Sequence, residues 1–274
     1  MSNIQAEAVT FDLWQTLIQD NRDLRRTRTM RRLEGAQAIL NEAGYSYSLD
    51  FLQEAYRRCF RKCNEIHAIE KDVTFTKQVS MFINEIDNQL GESLGARYQK
   101  QILECYADAF FEFPAPPDPS AYDTIRKMAQ MGYRIGLISN TGQTPGYLFR
   151  IYLKQLDMLK FFDVLTFSDE VELTKPSIEI FKMTLKSLGT TPEKSIHVGD
   201  HLKNDVIGAN LAGMSTVHLV HPDRKFAPPI QHTTITNEQI STKLSGEAQN
   251  EEELAAKPNI EIENLHELPN ILGR

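Results

Sequence analysis

The stretch Ala8–Leu17, AVTFDLWQTL, opens with a short apolar run rich in Val and Phe and turns at a carboxylate, Asp12. It predicts a first buried strand over Ala8–Leu13. Four further runs read the same way: Tyr133–Ser139 (YRIGLIS), Asp163–Phe167 (DVLTF), Ser195–Val198 (SIHV) and Thr216–Val220 (TVHLV). Helical patterns lie between them. Ser120–Met131 begins with a candidate Ser cap, carries Asp123 three positions on and stops at Gly132. Pro145–Leu159 has proline in its first turn, and Ser177–Leu188 sets Ile178, Phe181, Leu185 and Leu188 on one stripe before Gly189. Strands alternating with helices predict an α/β fold, a Rossmann-like parallel sheet covered on both faces.

From about Asn21 to Phe113 no strand pattern occurs. Four helices are expected there: Leu24–Ala43, Phe51–Ile66, Thr76–Leu90 and Ala96–Phe113. In the second, Leu52, Ala55, Tyr56, Cys59, Phe60 and Cys63 recur at helical spacing. The run PAPPDP, Pro114–Pro119, then separates this block from the next sheet unit. The expected organisation is an α/β core from residues 1–20 and 114–274, with a helical module, 21–113, inserted after the first strand. Polar, acidic residues 237–257, including SGEAQNEEELAAK, are expected to form a mobile excursion within the core. The end, NIEIENLHELPNIL, resumes strand-then-helix character.

Composition narrows the class. The 274 residues carry 30 Lys+Arg against 37 Asp+Glu, a formal net charge of −7, which lacks the basic footprint of a general nucleic-acid binder. No apolar run reaches the roughly 20 residues of a membrane span. The N-terminal residues lack a basic start followed by an apolar stretch, and three cysteines make no disulfide framework. A cytoplasmic protein without a membrane or nucleic-acid partner is the expectation.

Chemistry-bearing residues gather where predicted strands end, the place where open α/β sheets bind ligands. Asp12 ends the first strand. Ser139 and Asn140 end the second, in GLISNTG. Lys175 follows the third through a loop, in DEVELTKPS. Asp200 ends the fourth, in HVGDHLKND, with Asn204 and Asp205 beyond it. Such a set can transfer phosphoryl groups. A carboxylate can act as nucleophile, Mg²⁺ takes one or two carboxylates plus substrate phosphate, and lysine and hydroxyl groups meet the phosphoryl oxygens.

In order and type, the segments FDLWQTL, ISNT, TKPS and VGDHLKND resemble the motifs of the haloacid dehalogenase (HAD) superfamily, mostly Mg²⁺-dependent phosphohydrolases. FSDEVELTKPSIEIF is especially similar to members with an α-helical cap, and the inserted helices stand in that cap's usual place. The resemblance implies Asp12 as nucleophile and metal ligand. It implies the backbone carbonyl of Trp14, Asp200 and Asp205 as the other Mg²⁺ ligands. Ser139 and Asn140 would hold the transferred group, Lys175 would neutralise charge, and Thr16 would support the loop carrying Asp12. The implied substrate is a small phosphorylated molecule.

One position departs from the family pattern. Phosphatases of this superfamily usually place a second Asp two residues after the nucleophile, as acid and then base. Here it is Trp14, whose indole N–H is only a donor, and Gln15 follows where the family usually has Gly. General acid–base help is worth roughly 10²–10⁴-fold in rate. The expectation is therefore hydrolysis favouring good leaving groups, or an acid/base supplied by Asp20, Asp23, His67 or Glu70, or a weakened phosphate-binding or regulatory protein. Dehalogenases of the family typically lack the paired metal-binding acids, so Asp200 and Asp205 argue against that chemistry. Phosphonate cleavage would need a cap lysine, for which Lys62, Lys71 and Lys77 are available. Trp14 has a packing reading too, as a wall of the cleft or a contact to the cap.

Arg22, Arg25, Arg26, Arg28, Arg31 and Arg32 fall within eleven residues. They offer either recognition of a second phosphate or a solvated helix face paired with acids. Cys59 and Cys63, one helical turn apart, read as buried thiols, and Cys105 as packing. His201 is a secondary site candidate. His197, His218 and His221 lie in or after strands, where a structural role is expected.

Overall fold

A computed structural model describes residues 6–221 and 256–273. Six parallel strands make one sheet: β1 (Ala8–Phe11), β2 (Arg134–Ser139), β3 (Val164–Phe167), β4 (Ser195–Gly199), β5 (Ser215–Leu219) and β6 (Ile260–Ile262). Their order is β3-β2-β1-β4-β5-β6. The chain thus builds outward to one side of β1 and then to the other. The crevice between β1 and β4 is where strand order reverses, the place a ligand enters such a sheet. The register sets Phe11 level with Leu137 on one side and with Val198 on the other, so strand-end residues share one edge.

Alternation along β1 serves both faces. Val9 and Phe11 enter an apolar cluster with Ile125, Met128, Phe149 and Leu153, whereas Ala8 joins Ile180, Phe181 and Leu185. The strand-then-helix ending is realised as β6 followed by helical turns at Leu265–Glu267 and Leu268–Ile271. The expected excursion 237–257 lies outside the described residues except for its last two positions.

Four long helices follow β1, with a single short turn at Leu90–Ser93 between the third and fourth: α1 (Arg22–Glu42), α2 (Leu49–His67), α3 (Phe75–Ile86) and α4 (Ala96–Glu112). The first three start on side-chain caps, from Asn21, Ser48 and Thr74. They enclose their own apolar cluster, with Leu33 and Leu40 of α1, Leu52, Cys59 and Cys63 of α2, Phe82 of α3 and Ile102 of α4. The helix expected over Thr76–Leu90 stops early. Asp87 is extended and its carboxylate accepts the Gln89 N–H at 2.8 Å, a local alternative to helical bonding.

Three core helices complete the elements used below: α5 (Ala121–Gln130), α6 (Gly146–Gln155) and α7 (Ile178–Leu188). The expected Ser120 cap does not form; its hydroxyl donates instead to Asp118 at 2.6 Å, and Asp123 pairs with Arg126. The segment Pro145–Leu159 is helical only to Gln155, and Asp157 turns the chain at φ +58° before a short 3₁₀ turn, Leu159–Phe161.

Candidate active site

Asp12 follows β1 and is anchored by its N–H, which donates to the Val198 carbonyl at 2.9 Å. Thr16 Oγ1 donates to Asp12 Oδ2 at 3.2 Å, leaving Oδ1 to Lys175 Nζ at 2.7 Å. The same ammonium reaches Asp205 Oδ1 at 2.6 Å. All three side chains are buried. The carboxylates of Asp12, Asp200 and Asp205 offer oxygens within 4.8 Å of one another. The structure therefore brings together five of the residues singled out from the sequence, drawn from three separate segments.

Asp205 is aimed by a π-helical turn, Leu202–Ile207. Its Oδ2 accepts the His201 N–H at 2.9 Å. Gly199 makes the close approach possible, since a Cβ there would lie 2.3 Å from Asp205 Cγ. His197 adds a third contact to the Asp205 carboxylate, at Oδ1 and 3.2 Å, while its Nδ1 lies 2.8 Å from Thr10 Oγ1. A carboxylate only accepts, so Nε2 carries the imidazole hydrogen. His197 and Thr10 were not assigned to the site from sequence. Their signal is the period of two: Thr10 lies two residues before Asp12 on β1 and is level with His197 on β4.

These contacts set the charges. Burial pushes the Asp12 carboxyl up to about 6, against the pull of the Lys175 ammonium and with the Asp205 charge adding to the rise. Burial acts on Asp205 in the same sense, but Lys175 and His197 overcome it and hold that carboxyl well below its ordinary range. Burial also works against the Lys175 cation, yet the two carboxylates raise its pKa overall. His197 is depressed by burial and stays neutral at pH 7. The three-oxygen donor set is hard and anionic, the kind that Mg²⁺ favours, and a divalent cation beside it favours the ionised carboxylates.

Ser139 is fully buried at the end of β2. Both ends of the Asn140 side chain are engaged on the Lys175 backbone: Oδ1 accepts the Lys175 N–H at 2.8 Å and Nδ2 donates to its carbonyl at 3.1 Å. That side chain thus positions the lysine loop, with the second Nδ2 hydrogen left over. Thr141 N–H donates to Ser168 Oγ at 2.9 Å, a second tie between these loops.

Trp14 turns its ring away into an aromatic cluster. Phe149 of α6 lies 5.2 Å away and Phe110 of α4 6.0 Å, both edge-on, with the Arg28 guanidinium 5.8 Å from the ring centre. The side chain therefore joins the sheet domain to the inserted helices. Gln15 adopts φ +64°, the left-handed region that suits glycine, and its amide donates to the Asp20 carbonyl at 2.7 Å.

The four candidate replacement acids are also placed. Asp20 is buried in an ion pair with Arg28 at 2.6 Å. Asp23 is exposed on the first turn of α1. His67 Nε2 meets Asp72 Oδ1 at 2.9 Å, and Glu70 is exposed with its carbonyl accepting the Thr174 N–H at 3.2 Å. The loop bearing Glu70 and Asp72 thus lies against residues 172–174, just before Lys175. His201 is exposed, with Nδ1 accepting the Asn204 N–H at 3.2 Å. Lys62 pairs with Glu85 at 2.5 Å. Cys59 and Cys63 are buried as expected.

The inserted helices grip the loop after Asn140. Arg32, buried on α1, donates to the Gln143 carbonyl at 3.1 Å, to Thr144 Oγ1 at 3.3 Å and back to the Tyr106 carbonyl at 2.9 Å. Tyr56 donates to Gln143 Oε1 at 2.5 Å, and Gln78 to the Gly142 carbonyl at 3.1 Å. Sequence reading missed this contact because nothing in residues 142–144 signals what covers them.

A family model for haloacid dehalogenase-like hydrolases matches residues 6–213. The chain belongs to this family. Among its relatives, a glyceraldehyde 3-phosphate phosphatase of Methanothermobacter thermautotrophicus is 38% identical over 103 residues, 37% of this chain and 43% of that protein. The chain spans about half the length of such relatives or less. A pyrophosphatase PpaX of Bacillus cereus is 32% identical over 186 residues, covering 67% of this chain and 78% of that protein. Solved HAD structures share the fold over almost the whole chain. A 2-haloacid dehalogenase from Pseudomonas syringae superposes with TM-score 0.63 at 17% identity, over 98% of this chain and 99% of that one. A HAD phosphatase from Thermococcus onnurineus gives 0.57 at 24%, over 97% and 98%. No helix among the described residues is long and apolar enough to cross a membrane.

Proposed function

We propose that this HAD hydrolase is a Mg²⁺-dependent phosphatase of small phosphorylated molecules, working through an aspartyl-phosphate on Asp12. The observation that carries the reading is the triad of carboxylates within 4.8 Å, with Lys175 shared between Asp12 and Asp205. Fold likeness alone does not separate the chemistries, since both phosphatases and dehalogenases share it. The acidic pair Asp200 and Asp205 favours the metal-dependent one, and phosphatase-named relatives agree with it.

Asp12, Asp200, Asp205 and the Trp14 carbonyl would hold Mg²⁺, which when bound neutralises charge on the phosphoryl oxygens. An Asp12 oxygen attacks phosphorus while the bond to the leaving oxygen breaks, and that oxygen takes the electron pair. Thr16 holds the carboxylate in place, and Lys175 spreads the charge of nucleophile and phosphoryl group. Water then attacks phosphorus, releases phosphate and restores the Asp12 carboxylate. The helical module acts as a cap whose grip on residues 142–144 helps to exclude bulk water.

Trp14 gives this phosphatase its character. Its ring is engaged in the aromatic cluster, and Asp20 is committed to Arg28, so neither supplies a proton at the leaving oxygen. We expect aryl and acyl phosphates to be cleaved much faster than alkyl phosphates, by up to roughly the 10²–10⁴-fold that a general acid contributes. Phosphate release from 4-nitrophenyl phosphate, acetyl phosphate and a panel of sugar phosphates, with and without Mg²⁺, tests this. Asp12→Asn should lower turnover by about 10³-fold or more. Turnover indifferent to Asp12 or Mg²⁺ would sink the proposal. A single burst of phosphorylated Asp12 without steady release would instead favour the weakened, ligand-binding reading.

A further inference from the structure

The arginine run of α1 divides in the folded chain. Arg28 and Arg32 are buried, and Arg31 pairs with Glu112 at 2.6 Å. Arg22 and Arg26 are exposed, and among the described residues neither lies within ion-pair distance of a carboxylate. With Arg57 of α2 they border a hollow of about 440 Å³ between the two helices. That volume is within the range of small-ligand sites.

The spacing explains the convergence. Arg22, Arg26, Met30 and Leu33 fall on one face of α1, and Tyr56 and Arg57 face them from α2. Leu33 and Met30 make an apolar floor, and Met30 is held by the Gln53 amide at 3.3 Å. No acidic side chain lines the hollow. Glu54, the partner of Arg57 at 3.2 Å, is shared with Arg61 at 3.5 Å and so offsets the two arginines only in part. Three guanidinium groups on a concave wall without an acid make a poor self-contained structure and a good receptor for a multiply charged anion, because each fork meets phosphate oxygens in pairs. Through Tyr56 the hollow is tied to the loop that follows β2. The Tyr56 hydroxyl bonds Thr29 at 3.2 Å and Gln143, three residues beyond Asn140, at 2.5 Å.

We propose that the hollow bounded by Arg22, Arg26 and Arg57 is a binding site for a phosphate-bearing, multiply anionic group. Its carbon body, where it has one, lies on Met30, with buried Leu33 beneath. The group has two possible sources: the far end of the molecule cleaved at Asp12, which rests on the phosphatase reading, or a separate anion that acts through Tyr56 and Gln143.

Binding and turnover separate these. Inorganic pyrophosphate would be titrated calorimetrically into Asp12→Asn protein without Mg²⁺, with and without the added changes R22Q, R26Q and R57Q. All three arginines are exposed, so the fold should persist, and circular dichroism checks that it does. The expected result is a loss of pyrophosphate affinity of about tenfold or more, as charge-assisted contacts disappear. Raising salt should weaken binding only where the arginines are intact. In otherwise unaltered enzyme, the KM for fructose 1,6-bisphosphate relative to fructose 6-phosphate would then be compared. A rise in that ratio with the arginine changes identifies the substrate's far end; an unchanged ratio with lost pyrophosphate binding identifies a separate anion. Equal pyrophosphate affinity with and without the arginines overturns the proposal, whatever the enzyme's turnover.

Discussion

The sheet core and the helical module each bury positive charge, and they handle it differently. In the core, Lys175 sits between two carboxylates, Asp12 and Asp205, at 2.7 and 2.6 Å. In the module, buried Arg32 meets neutral acceptors: the carbonyls of Tyr106 and Gln143, the Gln143 amide and the Thr144 hydroxyl. Among the described residues it has no acidic partner, and burial lowers its pKa. The core array is ionic and tightly placed, as phosphoryl chemistry requires. The Arg32 array ties α4 of its own module to the loop at residues 143–144. Hydrogen bonds to neutral acceptors exchange readily with water, so this grip can be made and released at modest cost. On the proposed function, the first arrangement would serve reaction and the second closure.

The strongest way to break this comparison is Lys175→Met. It leaves Asp12 and Asp205 buried together without their cation, and stability should fall by about 3–5 kcal/mol. The sign with pH follows. Losing the cation raises both carboxyl pKa values in the folded protein, so the folded state binds protons that the unfolded state has released. The loss should therefore be greatest near pH 7 and shrink as pH falls toward the ordinary carboxylate range. Urea unfolding at several pH values checks it, and added Mg²⁺ should restore part of the loss by binding the folded state. An equal loss at all pH values would mean that packing, not charge, dominates.

Arg32→Met should cost less, about 1–3 kcal/mol, since it deletes bonds to neutral groups and leaves their carbonyls in need of water. Its larger signature should be functional. The loop at residues 142–144 loses its grip, so KM should rise and protection from hydrogen exchange should fall in those residues. A change confined to global stability, with KM and local exchange unaffected, would remove the closure role.

Asp169 sharpens the comparison at the smallest scale. It is buried at the foot of α6, both oxygens accepting the Gly146 N–H, at 3.2 and 3.3 Å. Burial pushes its carboxyl up to about 6. A raised carboxyl means that the folded protein keeps a proton the unfolded chain has lost, so stability declines as pH climbs from about 4 to about 6. Asp169→Asn should flatten that part of the profile, by on the order of 2 kcal/mol. An unchanged profile would show that Asp169 ionises freely in the folded protein.

Much of the candidate site's edge was legible from the chain. Asp12, Ser139 and Asp200 each stand at the end of an apolar run, and strand ends in a parallel sheet share one edge, so local pattern implied their convergence. The helical module was legible as a block because amphipathic spacing over Phe51–Cys63 excludes a strand. Asn140 shows the limit. Its residue type suited phosphate binding, but nothing near it in the chain announced that its side chain meets both backbone groups of Lys175, a partner 35 residues away. Trp14 shows another, since either reading of its ring was open until Phe110 and Phe149 were seen beside it.

The alternation of strands and helices, the order of the chemical motifs and the absence of an acid two residues after Asp12 all follow from the chain alone. Each is a property of neighbours in the chain, where side-chain period and residue chemistry suffice. Which arginines are buried and which line a hollow, the support of Asp205 by His197 and Thr10, and the seating of residues 70–72 on 172–174 emerge on folding. Those outcomes depend on packing between segments far apart in sequence, and burial there, rather than residue type, determines what a charged group can do.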